Sequence, residues 1–128
     1  MYAGTLPLFI GSQDAAANGA LLVQLGVGYV CNAAADAVAC FFEQCPPMSS
    51  APSPLCYLKL HLLDIPEAAG ELRADICRAC DFIDDAFHHG SGCLVHCNAG
   101  VSRSSAIIIA WLVRSVRLVC RLSVHSFL

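Results

Sequence analysis

Charged side chains are scarce in this sequence, and basic ones are especially few. Charged residues make up 13% of the 128 residues, and a single lysine accompanies six arginines. The formal net charge is -3 and no run of basic residues occurs. Because a broad basic surface is the footprint of nucleic-acid binding, we expect no nucleic-acid partner.

Long apolar segments and a targeting signal are lacking as well. The longest apolar run, residues 106–113, is well short of the roughly 20 residues that a membrane-spanning helix requires. The opening segment, MYAGTLPLFIGSQD, has no positively charged region before its short apolar stretch, unlike a secretory signal peptide. We therefore expect no membrane partner and a cytoplasmic location, with the nucleus as the alternative.

Cysteine is plentiful, yet its pattern favours neither a disulfide framework nor a metal site. The chain has nine cysteines, an odd number without a secretion signal, so most are expected to be small buried groups. Cys77 and Cys80 form a Cys-x-x-Cys pair in a strongly helical stretch. No second pair with ligand spacing accompanies it. We therefore predict no metal and no other cofactor.

Apolar strands alternate with helical segments along the chain. The alternation of Leu58, Leu60 and Leu62 with polar residues is typical of a strand. The predicted strands are residues 5–10, 27–31, 55–62 and 93–96, and the predicted helices are residues 12–25, 71–89 and 103–120, with a helical turn or two within 33–45. This order predicts an α/β fold with a central, mainly parallel sheet of four to five strands flanked by helices. We expect a single domain, residues 1–128.

For the two later helices, the sequence predicts which faces are buried and which are exposed to solvent. The helix over 71–89 has an apolar stripe of helical period, which predicts a core-facing side. Asp84 and Asp85 fall outside this stripe and are predicted to belong to a solvated face. Trp111 lies at helical spacing from Ile107 and is predicted to pack in the core.

The segment HCNAGVSRS, residues 96–104, connects a predicted strand to a predicted helix. Its small residues Ala99, Gly100 and Ser102 allow backbone N–H groups to turn inward and form an anion-binding nest. The amino end of the following helix adds a positive dipole at the same place. Phosphate suits this environment because it is a multivalent anion with several acceptor oxygens. The strand end is also where parallel sheets bind their ligands.

Cys97 begins this nest, where the positive field that holds phosphate also stabilises a thiolate. A thiolate beside a bound phosphoryl group is a nucleophile. Arg103 offers planar donors to two phosphate oxygens, and its attraction grows as negative charge develops in the transition state. The Ser104 hydroxyl could donate to the sulfur and help it leave in a second step. A cysteine and an arginine six positions apart are common by chance, so the interpretation rests on the whole strand, loop and helix context.

These residues resemble the active-site loop of the protein tyrosine phosphatase superfamily, which has His-Cys, five residues, Arg and then Ser or Thr. The likeness is greatest to the dual-specificity phosphatases, especially their small atypical members. LDIPE, a helix containing DFID and then CLVHC are similar to that family in order and spacing. LFIGSQDAA and VGYVCNAA resemble its amino-terminal half. The resemblance covers residues 6–113, and residues 114–128 form a divergent tail.

The resemblance implies a role for each matching residue. Cys97 attacks phosphorus and forms a phosphocysteine intermediate, Ser104 assists the breakdown of that intermediate, and His96 packs behind Cys97 and helps to set its ionisation. Asp64 matches the general acid that protonates the leaving oxygen. The phosphoryl oxygens are bound by the Arg103 side chain and by the loop amides of Asn98, Ala99, Gly100, Val101, Ser102 and Arg103.

Asp64 is also supported by its chemistry. A phosphate ester needs a proton on its leaving oxygen, and a carboxylic acid on a loop can supply it. Pro66 restricts that loop and could hold Asp64 in place. Glu67 is the rival acid, although its position near the entry of the next helix favours a capping role.

The predicted function is hydrolysis of phosphotyrosine and phosphoserine or phosphothreonine in proteins, with phosphorylated proteins as partners and signalling kinases as further candidate partners. Loop residues 98–102 are neutral, which disfavours the alternative of a highly charged non-protein phosphomonoester. The other alternative is a weakly catalytic phosphoprotein-binding or scaffold module. The divergent tail keeps it open, because the family continues into further helices where this chain has RSVRLVCRLSVHSFL. Without those helices, apolar surface would be exposed.

Overall fold

The computed structural model describes residues 7–48, 54–61, 69–98 and 102–127. Four strands are described: β1 (Leu8–Gly11), β2 (Val27–Asn32), β3 (Cys56–Lys59) and β4 (Gly92–His96). The helices are α1 (Gln13–Ala16), α2 (Gly19–Gln24), α3 (Ala69–His88) and α4 (Ser102–Phe127). The strands form one parallel sheet in the order β1-β4-β2-β3. The predicted α/β architecture is therefore confirmed.

Helices cover both faces of the sheet, and β4 lies between them with all five residues buried. Successive residues of a strand point to opposite faces, so Leu94 packs on one side and Cys93 and Val95 on the other. α1 and α2 bury Ala16 and Leu22 against the first face. α3 and α4 bury Ile83, Phe87, Ile107 and Trp111 in the core of the second face.

The register of the sheet places the carboxyl ends of its strands at one edge. Gly11 of β1 and Asn32 of β2 are both paired with His96 of β4, and Lys59 of β3 is paired with Asn32. Every strand thus ends near the point where β4 ends. In a parallel sheet this edge is the usual location of a ligand site.

The prediction of one helix over residues 12–25 is wrong, because the segment forms two short helices. The side chain of Asn18 accepts a hydrogen bond from the Leu21 N–H (3.1 Å) and caps a new helix. An asparagine in this position competes with helix continuation. Gly26, with a φ of 70°, follows α2 as predicted.

Two other predicted boundaries differ from the structure. Regular strand structure in β3 covers only Cys56–Lys59, because beyond Lys59 the chain forms an antiparallel bridge between His61 and Ala34. Residues 33–45 form turns, and these include the predicted helical turn, in which the Val38 N–H donates to the Ala34 carbonyl (2.9 Å). The last helix was predicted to end near residue 120 but extends to Phe127.

The packing of α3 against α4 corrects the interpretation of Asp84. Trp111 is buried as predicted, and its indole Nε1 donates to Asp84 Oδ1 (2.8 Å). Arg114 donates to the other Asp84 oxygen and to Asp81 Oδ1, the latter at 2.8 Å. Asp84 therefore joins the two helices instead of only facing solvent, whereas Asp85 is exposed as predicted.

The outer face of α4 is apolar and exposed. Its large side chains there lie at helical spacing and are Ile109, Leu112, Val113 and Val116. An exposed apolar face of this kind is the surface that the sequence analysis expected near the divergent tail. Among the described helices, none has the length and apolar character needed to cross a membrane.

Candidate active site

Cys97 lies at the carboxyl end of the central strand. It directly follows β4, and its side chain is buried in the same core cluster as Cys93 and Val95. Hydrogen bonds hold the strand end on one side, where the Ala33 N–H donates to the His96 carbonyl (2.8 Å). The position of the Cys97 backbone is therefore set by the sheet.

The first turn of α4 lies against Cys97. Ser104 is the third residue of that helix and is fully buried, and its Oγ is 3.5 Å from Cys97 Sγ. The strand end and the helix start thus meet at Cys97. The amino end of a helix carries unpaired N–H groups and a partial positive charge. This arrangement favours an anionic ligand beside the sulfur.

Three further residues of the predicted phosphate-binding loop are described, and one of them, Ser102, begins α4. Arg103 precedes Ser104 in the first turn of α4 and is half-buried, and Asn98 follows Cys97 and is also half-buried. Ala99, Gly100 and Val101 lie outside the described residues. So do Asp64, Pro66 and Glu67, and the roles predicted for all six stay predictions.

His96 is fully buried beside the nucleophile candidate. Its Nδ1–H donates to the Cys97 carbonyl oxygen (3.3 Å), because a carbonyl can only accept. Its Nε2 has no hydrogen-bond partner among the residues described. Burial lowers the pKa of His96 below its usual value of 6.5, against a smaller opposing effect of that hydrogen bond. A pKa below 6.5 leaves His96 mainly neutral at pH 7, and its role in setting the ionisation of Cys97 stays a prediction.

Comparison with known proteins decides the family. The sequence profile of the dual specificity phosphatase catalytic domain matches residues 8–125. The chain belongs to this family. Mouse dual specificity protein phosphatase 19 is 34% identical over 108 residues, which are 84% of this chain and 44% of the relative. The chain thus spans less than half the length of that curated relative.

Solved structures of dual specificity phosphatases share the fold. Human DUSP28 superimposes with a TM-score of 0.64 at 31% identity, covering 86% of this chain and 68% of that chain. A human tyrosine phosphatase-like serine/threonine/tyrosine-interacting protein gives a TM-score of 0.63 at 26% identity, covering 86% and 70%. The resemblance seen in the sequence is confirmed.

Asn32 is a residue of this phosphatase domain that the sequence analysis did not single out. It is fully buried at the end of β2. Its Oδ1 accepts from the Ala34 N–H (3.0 Å), and its Nδ2 donates to the Val38 carbonyl (2.7 Å). The first contact is an Asx turn, which an asparagine directly after an apolar strand can signal. Asn32 thereby shapes the turns beside the strand end that carries Cys97.

Other thiols in the phosphatase domain have different surroundings. Burial raises the pKa of Cys93 to about 12 and also raises the pKa of Cys31. Both therefore stay protonated and weakly nucleophilic at pH 7. Cys77 is exposed while Cys80 is buried, and the side chains that the structure describes include no group of three potential metal ligands.

Proposed function

We propose that this domain is a protein phosphatase that hydrolyses phosphotyrosine and phosphoserine or phosphothreonine through a phosphocysteine at Cys97. The observation that carries the proposal is the contact between Cys97 Sγ and Ser104 Oγ. It unites a buried sulfur, a hydroxyl donor and the amino end of a helix at the carboxyl edge of the sheet. This combination suits a nucleophile that must carry negative charge in one step and leave with it in another.

The first proposed step transfers the phosphoryl group to sulfur. The Cys97 thiolate attacks phosphorus, an S–P bond forms, and the ester P–O bond breaks. The leaving oxygen takes its proton from the Asp64 carboxyl group. Arg103 and the loop amides bind the phosphoryl oxygens, whose charge the transition state redistributes.

The second proposed step releases phosphate. A water molecule gives its proton to the Asp64 carboxylate and attacks phosphorus, and the S–P bond breaks. Ser104 donates a hydrogen bond to the departing sulfur, so the thiolate is regenerated along with the protonated Asp64. The proposed chemistry uses side chains and backbone amides of this chain together with water.

The substrates that we propose are phosphorylated proteins, and kinases of signalling pathways are candidate partners. Asn98 and the other loop residues up to Ser102 are neutral, so the loop offers no additional cations to a polyphosphorylated substrate. A cytoplasmic or nuclear location and a single domain over residues 1–128 stay predictions.

A phosphoprotein-binding module is the second candidate function. It is favoured by the similarity to the human protein described as a tyrosine phosphatase-like, serine/threonine/tyrosine-interacting protein. A module of this kind would bind a phosphopeptide at the same loop without turnover. The presence of Cys97, Arg103 and Ser104 in the sequence supports the enzyme instead.

Turnover of phenyl phosphate and of a phosphotyrosine peptide by the full chain tests the proposal. We expect turnover by the wild type, none by Cys97→Ser, and nearly unchanged turnover by the matched variant Cys93→Ser. Binding of the phosphopeptide without any turnover by the wild type would favour the module. A loss of kcat in Glu67→Ala but not in Asp64→Ala would transfer the acid role to Glu67.

A further inference from the structure

Two hydrogen bonds fix the backbone on either side of the Cys97 α-carbon. The carbonyl before it, that of His96, accepts from the Ala33 N–H (2.8 Å). The carbonyl after it, that of Cys97 itself, accepts from His96 Nδ1 (3.3 Å). Because peptide groups are planar, fixing both of them leaves little freedom in the direction along which the side chain leaves the backbone. These bonds therefore help to determine where the sulfur lies.

The donor of the first bond belongs to a turn that is closed by the side chain of Asn32. The turn, residues 33–38, follows β2, and in it the Val38 N–H donates to the Ala34 carbonyl (2.9 Å). Asn32 Oδ1 accepts from the Ala34 N–H (3.0 Å) at one end, and Nδ2 donates to the Val38 carbonyl (2.7 Å) at the other. Ala33 lies between Asn32 and Ala34, so its N–H is held in place by this side chain.

The burial of Asn32 argues that its amide has a conformational role. Asn32 and Ala33 are both fully buried, at 0% exposure. An amide in such a place costs free energy unless its atoms are hydrogen-bonded, and an apolar side chain of similar size could fill the space without that cost. The contact of Nδ2 with Cys40 Sγ (3.5 Å) adds a third partner. The amide therefore specifies the path of the turn more than it adds to the apolar core.

We propose that Asn32 is a positioning residue that keeps the Cys97 sulfur beside the Ser104 hydroxyl. The inference rests on the proposed function, in which Ser104 assists the departure of the sulfur. Asn32 fixes the turn, and the turn presents the Ala33 N–H to the His96 carbonyl. The sulfur of the next residue is thereby held 3.5 Å from Ser104 Oγ. Because a displacement of about 1 Å can cost a large factor in rate, loss of the turn should slow the step in which Ser104 acts.

The burst and steady-state phases of 2,4-dinitrophenyl phosphate turnover by the full chain test this role. Dinitrophenolate leaves well as an anion, so the breakdown of the phosphocysteine limits the rate. We expect Asn32→Ala to release one dinitrophenol per enzyme in the burst and to lower the following steady-state rate about three- to tenfold, no more than Ser104→Ala does. A merely structural role would instead lower the burst amplitude, which counts the folded chains, and would leave the rate per active chain unchanged.

A double variant and a conservative variant make the test specific. Asn32→Ala combined with Ser104→Ala should be no slower than Ser104→Ala alone, because both changes remove the same contact. Asn32→Ser retains an oxygen that accepts from the Ala34 N–H and should recover part of the rate. If Asn32→Ala does not fold, Asn32→Ser is compared with the wild type directly. Since it lacks the contact with Val38, it should lower the steady-state rate about two- to threefold with a full burst.

Asp36→Ala is the matched control. Asp36 lies in the same turn, but it is exposed and its Oδ1 contacts His61 Nδ1 (2.5 Å) rather than the backbone of the turn. We expect this variant to show the burst and the steady-state rate of the wild type. The inference is overturned if Asp36→Ala slows the steady state as Asn32→Ala does, or if the losses of Asn32→Ala and Ser104→Ala multiply in the double variant. It is also overturned if Asn32→Ala keeps the wild-type rate, because the pairing of β2 with β4 then suffices.

Cys97→Ser and Ser104→Ala separate this inference from the proposed function. If Cys97→Ser still turns over the substrate, the proposed chemistry itself fails. If Ser104→Ala keeps the wild-type steady-state rate, the role of Ser104 fails, and the positioning role fails with it. If both variants behave as expected while Asn32→Ala lowers only the burst amplitude, the chemistry stands and the positioning role is refuted.

Discussion

Two cysteines at opposite ends of β4 show how position decides chemistry. Cys93 lies near the beginning of the strand and Cys97 directly after its end, and both are almost completely buried, at 0% and 1% exposure. Burial alone raises the pKa of Cys93 to about 12. Cys97 instead lies beside a hydroxyl group in the first turn of a long helix. Equal burial thus yields an inert thiol at one end and a candidate nucleophile at the other.

The largest expected effect is the difference in reactivity between the thiols of Cys97 and Cys93. We expect iodoacetamide at pH 7 to alkylate Cys97 at least about 10³-fold faster than Cys93, because so little of the Cys93 thiol is ionised. Peptide mapping by mass spectrometry over time measures both rates in one sample. Inorganic phosphate should slow the reaction at Cys97 alone. Equal rates at the two positions would remove the distinction between them.

Replacement of Arg103, beside the strand end, should have the next largest effect. Replacing Arg103 by lysine keeps the charge but removes the planar pair of donors, and we expect kcat/KM for an aryl phosphate to fall about 10²-fold. Arg117→Lys is the control, since Arg117 is exposed on the same helix. Similar losses in both variants would show that charge on α4, rather than bidentate binding, matters.

Replacement of Ser104 tests whether its hydroxyl group assists the departure of the sulfur in the second step. We expect Ser104→Ala to lower kcat about tenfold, since a hydrogen bond to a charged group is worth about 1.5–3 kcal/mol. The loss should be the same for good and poor leaving groups, with a burst of one phenol released per enzyme. Ser105→Ala, one residue further along α4, should behave as the wild type. A loss that depends on the leaving group would place Ser104 in the first step instead.

The buried Cys93 thiol should change how the free energy of unfolding depends on pH above neutrality. Because the pKa of Cys93 is higher in the folded chain than the ordinary cysteine value of 9.0, the protonated thiol stabilises the fold fully below pH 9. That contribution is lost as the pH rises above 9. Between pH 8 and pH 10, urea denaturation should show that Cys93→Ala loses about 1 kcal/mol less stability than the wild type. Identical losses would mean that Cys93 ionises as freely in the folded chain as in the unfolded one.

The sequence predicted much of the fold because its signals are local. The apolar runs that became β2 and β4 are short and bounded by turn residues, and Gly26 and Gly90 follow helices with positive φ values. The break at Asn18 was missed because a cap inside a helical pattern competes with propensity over only a few residues. The helical turn predicted within residues 33–45 is present between Ala34 and Val38, and the side chain of Asn32 is hydrogen-bonded to both of its ends.

The candidate site and its surroundings likewise contain residues that the sequence pointed to and residues that it did not. Cys97, Arg103 and Ser104 were identified because they lie within one short segment, and the strand, loop and helix around them follow from that segment. Asn32, Asp84 and the Asp36–His61 pair were not recognised. The partners of Asn32 are backbone groups of Ala34 and Val38, two and six residues later, whereas the partners within the other two sets are 25 or more positions apart.

By itself, the sequence determined the order of strands and helices, the loop that joins β4 to α4, and the family. These features depend on residues close together in the chain, whose periodicity and turn chemistry act before any distant contact forms. Only the tertiary structure decided which thiol lies beside a hydroxyl, which aspartate joins two helices and which histidine contacts Asp36. Such choices depend on how the strands align and how the helices pack, because that arrangement brings residues far apart in the chain within hydrogen-bonding distance.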